Sequence, residues 1–189
     1  LGVEKRAELL EKTADLMESH QAELLALLIR EAGKFFPDAV AEVREAVDFC
    51  RYYATIARDI LSPENLPGPT GESNVLCMHG LGTVLCVSPW NFPFAIFTGQ
   101  IAASLVTGNC VIAKPAAQTP LIAARAVELF HEAGVPKSVL QLMPGSGSKI
   151  GHALISDERS SGVLFTGSTE TAKTIQLTLA NRKGAIVPF

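Results

Sequence analysis

The stretches T-V-L-C-V-S-P-W-N-F-P-F at 83–94 and C-V-I-A-K-P-A-A-Q-T-P at 110–120 decide the fold between them. Each opens with five residues, four of them apolar, and each then breaks at a polar turn that carries proline. A short apolar run bounded by turn residues suits a strand buried on both faces. The pattern continues down the chain. It predicts a helix over 93–107, a strand over 110–114, a helix over 119–133 and a strand over 139–142 (V-L-Q-L). A helix over 148–155, a strand over 162–165 (G-V-L-F), a helix over 168–181 and a strand over 185–187 follow. Short strands alternating with amphipathic helices predict an α/β fold, a Rossmann-type parallel sheet with helices on both faces.

Upstream the pattern differs. Residues 3–31 read as one long helix, because Val3, Ala7, Leu10, Ala14, Met17, Leu24 and Leu28 recur at steps of three and four, and only Gln21 breaks the stripe. Gly33 is a stop signal. A second long helix is expected from about Pro37 to Leu61, on the stripe Val40, Val43, Val47, Cys50, Ala54, Ala57 and Leu61. Pro37 suits a first helical turn and Pro63 lies just past the end. Residues 62–74, S-P-E-N-L-P-G-P-T-G-E-S-N, form the clearest linker. After it, Val75–His79 and Thr83–Val87 read as strands around Gly80 and Gly82, a hairpin pattern. The expected division is a helical segment (1–61), a linker with strands (62–87) and a Rossmann-type region (88–189).

Composition narrows the function. Of 189 residues, 48% are apolar and 19% charged, which offers enough apolar surface for a core and excludes disorder. The net charge of −3 gives no basic excess for a nucleic-acid backbone or an anionic membrane. No apolar run approaches the roughly 18 residues of a membrane span. Cys50, Cys77, Cys86 and Cys110 are scattered, with no C-x-x-C pair, so no metal site is expected and a reducing cytoplasm suits them. The chain opens on Leu1 and closes on the apolar A-I-V-P-F, the expectation being a truncated fragment of a longer protein.

In an open parallel sheet, ligands bind beyond the carboxyl ends of the strands, where helix starts present backbone N–H groups. The turns to inspect are S-P-W-N-F-P-F, K-P-A-A-Q-T-P, M-P-G-S-G-S-K-I-G and T-G-S-T-E, all bearing glycine or proline beside polar residues. In G-S-G-S-K-I-G at 145–151 the glycines are spaced one residue wider than a dinucleotide fingerprint, which also fits a tight turn before a helix. Gly167 permits close approach of a ligand, and Ser168 can cap a helix, bind a pyrophosphate, or both. Lys114 closes an apolar strand and reads either as a solvated lysine or as a donor to ribose hydroxyls. Trp90 and Asn91 form either a packed turn in which Asn91 satisfies its own backbone, or a site in which the Asn91 amide faces a developing oxyanion.

These motifs bring a resemblance. S-P-W-N-F-P-F at 88–94, A-K-P-A at 113–116, P-G-S-G at 144–147 and F-T-G-S-T-E at 165–170 stand in the order and approximate spacing of the aldehyde dehydrogenase superfamily. R-E-A-G-K at 30–34, A-E-V-R-E-A-V-D-F at 41–49 and A-I-F-T-G-Q-I-A-A at 95–103 resemble a narrower group, the L-glutamate γ-semialdehyde (Δ1-pyrroline-5-carboxylate) dehydrogenase module of bifunctional proline utilization proteins. The resemblance covers essentially the whole chain and implies an aldehyde-dehydrogenase-like fold. It implies NAD-dependent oxidation of an aldehyde to an acid in proline catabolism. A cysteine thiolate attacks the aldehyde, hydride passes to the nicotinamide, and a glutamate activates the water that releases the acid. Asn91 matches the oxyanion asparagine. Trp90 and Ser168 match positions by the pyrophosphate, Lys114 the ribose lysine, and Gly147 and Gly151 the turn and helix by the adenine. Gly167 matches the glycine that lets the Ser168 helix approach the phosphates. The partner it implies is a small-molecule aldehyde, with no nucleic acid bound through this segment. It also implies a cytoplasmic homo-oligomeric parent, with the 62–87 strands resembling the family's oligomerisation arm, and FAD only in a separate module if that parent is bifunctional.

Two features depart from the family pattern. Ala117 stands where a ribose-binding glutamate is common, so a 2′-phosphate meets less repulsion and NADP stays open beside NAD. The family's nucleophilic cysteine and general-base glutamate match no residue here, so the segment alone is expected to be inactive. The other readings are a fold-retaining scaffold without catalysis and an acyl-CoA-forming dehydrogenase.

Overall fold

The computed structural model describes residues 1–189. Three helices open the chain: α1 (Val3–Ser19), α2 (Gln21–Ala32) and α3 (Phe36–Ile60). The single helix expected over 3–31 is therefore two. The chain leaves helical geometry at His20 (φ −100°, ψ 17°), next to Gln21, the position that interrupts the apolar stripe. The break lets α1 bury Leu10, Ala14 and Met17 while α2 turns Leu24 and Leu28 into the same core. Gly33 ends α2 in the left-handed region at φ 67°, where glycine carries no Cβ penalty.

Next, β1 (Glu64–Leu66) pairs antiparallel with β2 (Asn74–Leu76) in an exposed two-stranded ribbon. The expected hairpin between 75–79 and 83–87 does not form. Instead β3 (Thr83–Val87) lies inside a separate four-stranded parallel sheet, not with the 62–87 strands. Val84, Leu85 and Cys86 are all buried, and consecutive apolar residues need cover on both faces, which a ribbon does not give.

The rest follows the predicted alternation: α4 (Ala95–Val106), β4 (Cys110–Lys114), α5 (Pro120–Ala133) and β5 (Leu140–Leu142). A wide π-helical turn over Gly147–Gly151, read in sequence as part of an α-helix, then leads into α6 (His152–Ser156). β6 (Ser160–Phe165) and α7 (Thr169–Ala180) complete the set. The sheet order is β5-β4-β3-β6, all parallel. The chain thus steps outward from β3 through β4 to β5, then crosses back to place β6 on the other side of β3.

The two faces of the sheet are unequal. On one, Val84, Cys86, Val111 and Ala113 pack into a large core with α4 and α5, and α1–α3 lie behind these. On the other, Leu85, Ile155, Val163 and Ile175 form a small cluster with α6 and α7. The strand expected over 185–187 is not formed. One backbone bond, Val163 N–H to the Pro188 carbonyl (3.0 Å), ties that run to β6, and Pro188 has no N–H with which to continue a ladder. No helix is long and apolar enough to cross a membrane.

Candidate functional site

Strand register sets the site. Val87 lies opposite both Lys114 and Phe165, and Ala113 lies opposite Leu142. The turns after the four strands therefore leave one rim of the sheet. Backbone bonds stitch them: Ser88 N–H donates to the Lys114 carbonyl (3.3 Å), Thr166 N–H to Val87 (3.1 Å) and Met143 N–H to Ala113 (2.8 Å). The strand order reverses between β3 and β6, the position where open α/β sheets form a ligand crevice. Gln100 of α4 spans it, its Nε2 donating to the Val87 carbonyl and to Thr166 Oγ1, both at 3.3 Å. Sequence reading passed over Gln100, although it is a lone amide in a predominantly apolar helix.

Lys114 is 5% exposed, and its Nζ donates to the Pro115 carbonyl at 2.9 Å. Burial pushes its pKa below the ordinary lysine value. Its stem lies beside the buried Gly151, where a Cβ would sit 3.5 Å from Lys114 Cε. These two predicted site residues are thus direct neighbours. An ammonium carries three donors. One is used on Pro115, and two remain to meet oxygens of a polyol or phosphate ligand.

Within G-S-G-S-K-I-G the glycine that the backbone demands is Gly145. Its φ is 143°, and a Cβ there would lie 2.6 Å from Ile150 Cγ1. At Gly147 a Cβ would meet nothing within 4 Å, so the start of the π turn faces open space at the rim. Gly167 is needed for packing, since its Cβ would come within 2.6 Å of Phe165 Cζ. Ser168 caps α7, accepting from Thr171 N–H at 3.2 Å, while its own Oγ–H reaches Thr171 Oγ1 at 3.0 Å. The start of α7 thus directs backbone donors at the rim, the arrangement that favours anions.

Trp90 and Asn91 lie on the turn from β3 to α4, and Trp90 is 57% exposed. Asn91 is exposed and its side chain forms no hydrogen bond to its own backbone, so the self-satisfied turn is not formed. The helix that follows has no cap of its own. Glu42 of α3 supplies one, its Oε1 accepting from Phe94 N–H (2.8 Å) and Ala95 N–H (3.3 Å). Its Oε2 pairs with Lys34 Nζ at 2.7 Å, and that ammonium stands 4.0 Å from the Phe92 ring centroid. Glu31 does the same for α5, accepting from Leu121 N–H (2.8 Å) and Ile122 N–H (2.9 Å). Neither glutamate nor Lys34 was singled out from the sequence. Charged residues on a helix read as a solvated face until the partner helix is placed.

Cys50 and Cys86 are buried, and burial raises both thiols to about 12, which leaves them inert as nucleophiles. Cys77 and Cys110 are exposed. The larger surface hollows lie away from the rim, along α3 at Ala41, Glu45 and Tyr52, and between α6 and α7 at His152, Thr174 and Arg182. The rim itself is an open edge.

The profile of the aldehyde dehydrogenase family matches residues 1–187. The chain is 55% identical over 179 residues to the bifunctional protein PutA of Klebsiella aerogenes, covering 95% of this chain and 13% of that protein. It is 41% identical over 167 residues to the 1-pyrroline-5-carboxylate dehydrogenase of Anoxybacillus flavithermus, covering 88% of this chain and 32% of that one. A crystal structure of a bifunctional proline utilization A (PutA) protein superposes with a TM-score of 0.98 at 54% identity, over 100% of this chain and 19% of that chain. The 1-pyrroline-5-carboxylate dehydrogenase from Thermus, solved with bound NAD, superposes with a TM-score of 0.91 at 36% identity, over 100% of this chain and 37% of that one. The chain thus spans a third or less of the length of the curated relatives it matches here. With its four rim turns in register and a family profile matched almost from end to end, the chain belongs to the aldehyde dehydrogenase family.

Proposed function

We propose that this chain is the cofactor-binding segment of an NAD-dependent aldehyde dehydrogenase that oxidises L-glutamate γ-semialdehyde, the open form of Δ1-pyrroline-5-carboxylate, to L-glutamate in proline catabolism. The observation that carries this is that the turns after β3, β4 and β6, which hold Asn91, the buried Lys114 and the capping Ser168, leave one rim of a single parallel sheet. Relatives named for pyrroline-carboxylate oxidation and proline utilization support the substrate. The relative solved with NAD supports the cofactor.

The residues fit such a group. Lys114 directs its remaining donors at ribose hydroxyls from a site where burial keeps water away. The first turn of α7, with Ser168, would hold the pyrophosphate, and Trp90 would pack near it. Gly147 and Gly151 leave room for the adenine, while Gly167 lets Phe165 pack so that α7 starts close to the rim. NAD, when bound, supplies the hydride acceptor. Asn91 donates its NH₂ to the aldehyde oxygen as that oxygen gains charge, which lowers the barrier only if the donor is held in place. The thiolate and the base belong to sequence other than these 189 residues, so this segment binds but does not turn over. Ala117, exposed after β4, allows a 2′-phosphate, so NADP is an alternative cofactor. A bifunctional parent would carry FAD in another module. The setting that suits the reading is a cytoplasmic homo-oligomer, assembled through the exposed β1–β2 ribbon.

NAD titration of the protein that carries this segment tests the reading. Lys114→Ala is expected to weaken binding about 10-fold or more, the scale of one lost charge-assisted donor. Ser168→Ala is expected to weaken it less, because α7 keeps its backbone donors. Unchanged affinity in both variants would remove the rim from cofactor binding.

A further inference from the structure

The turn that presents Asn91 is gripped from outside the sheet. The Lys34 ammonium stands 4.0 Å from the centroid of Phe92, the residue next to Asn91. Two residues further on, Glu42 Oε1 holds the amides of Phe94 and Ala95, the first free donors of α4. The two grips are one unit, because Lys34 Nζ and Glu42 Oε2 pair at 2.7 Å with side-chain exposures of 13% and 0%. Glu42 sits on the 25-residue helix α3, which packs along α4, so the carboxylate is fixed by a rigid element. An Asn on a turn has free χ angles and a mobile backbone. One followed directly by held residues, Phe92 and then Phe94 and Ala95, has a backbone with less of that freedom. Oxyanion stabilisation depends on donors preorganised before the charge develops, and an ångström of misplacement can cost 10²-fold in rate.

We propose that Lys34 and Glu42 form a positioning pair that sets the Asn91 amide for transition-state stabilisation. The inference rests on the aldehyde-oxidising reading of the site. Neither residue reaches substrate. They act through the turn, by capping α4 and pinning Phe92.

The test is a double-mutant cycle in the full-length enzyme carrying this segment, assayed with aldehyde and NAD. Glu42→Gln keeps an acceptor of the same shape and removes the ion pair. It is expected to lower kcat about 10-fold or more, while the KM for NAD changes by less, since Lys114, Ser168 and the 145–151 glycines lie on other turns. Asn91→Ala is expected to lower kcat about 10²–10³-fold. In that background Glu42→Gln is expected to cost nothing further, because the group it positions is gone. Lys34→Arg, which keeps the charge and can still stack, is expected to retain kcat within about threefold. If Glu42→Gln fails to fold, Lys34→Met combined with Glu42→Gln removes both charges together and is read in its place. Equal fractional losses from Glu42→Gln in the wild-type and Asn91→Ala backgrounds would overturn the proposal, as would an unchanged kcat in Glu42→Gln. Asn91→Ala turning over at the wild-type rate would remove the oxyanion role itself, and this proposal with it.

Discussion

Lys114 is the residue whose placement is hardest to explain by stability alone. A lysine at the end of an apolar strand could reach solvent, yet this one is nearly buried and spends one donor on the adjacent carbonyl. Burial disfavours the charged form and pushes its pKa down. The sign of the linkage follows: the unfolded chain binds more protons, so the cost of burying the charge is present at neutral pH and relieved as pH rises through the lowered value. Cofactor affinity runs the other way, because the ammonium is the useful form. NAD binding is therefore expected to weaken on raising pH through the alkaline range, earlier than a solvated lysine would dictate. In Lys114→Arg that alkaline loss should disappear, because guanidinium stays charged. A titration series by fluorescence or calorimetry checks this, and identical pH profiles for the two proteins would assign the effect elsewhere. Lys114 and Asn91 draw notice in sequence as site candidates because one ends a strand and the other stands on the turn just after one. Glu42 does not, since its role depends on which helix start lies opposite it.

At the level of elements, α4 and α5 share a device. Their N-cap residues, Phe94 and Thr119, form no side-chain cap, and carboxylates from earlier helices satisfy the first amides instead. Such tertiary caps tie the helical segment to the sheet layer, so 1–61 is no mere appendage. Glu31 receives two N–H donors from α5, and replacing a cap acceptor costs about 0.5–2 kcal/mol. Glu31→Ala is expected to lower the unfolding free energy by an amount in that range, seen as a lower urea midpoint with the slope unchanged, and Glu31→Gln by less. A midpoint within error of wild type would mean that solvent satisfies those amides equally well. The elements themselves were mostly readable, because apolar periodicity reports which face is buried. What periodicity missed were local departures, the break at His20 and the π turn at Gly147–Gly151, where geometry answers to packing on neighbours. It also left β3 with two readings, a sheet strand and half of a hairpin, since a five-residue, mostly apolar run fits a ribbon as well as a central strand until its partners are known.

Over the whole molecule, the unequal layers imply unequal stability. Helices α1–α5 bury large side chains, Phe94, Phe97, Phe130 and Met17 among them, in one continuous core. The opposite face rests on four buried residues, Leu85, Ile155, Val163 and Ile175, flanked by the partly buried Ile112, Leu154, Phe165 and Leu179, with a five-residue α6 and an α7 that buries only Ile175. Local opening free energies follow buried apolar contact, so the thin layer should open first. The rim takes Gly147, Gly151 and Ser168 from that layer, and Lys114 and Asn91 from the better-packed side. A ligand bridging the two would therefore order the loose half against the firm one. Hydrogen exchange on the 189-residue chain is expected to show α6 and α7 exchanging well before α3 and α5. Added NAD should then slow exchange over 143–151 and 166–171 most, because binding stabilises the closed form by mass action. Uniform protection without ligand would mean that both faces open as a single cooperative unit. Slowing confined to 88–94 would place the cofactor against the firm half alone.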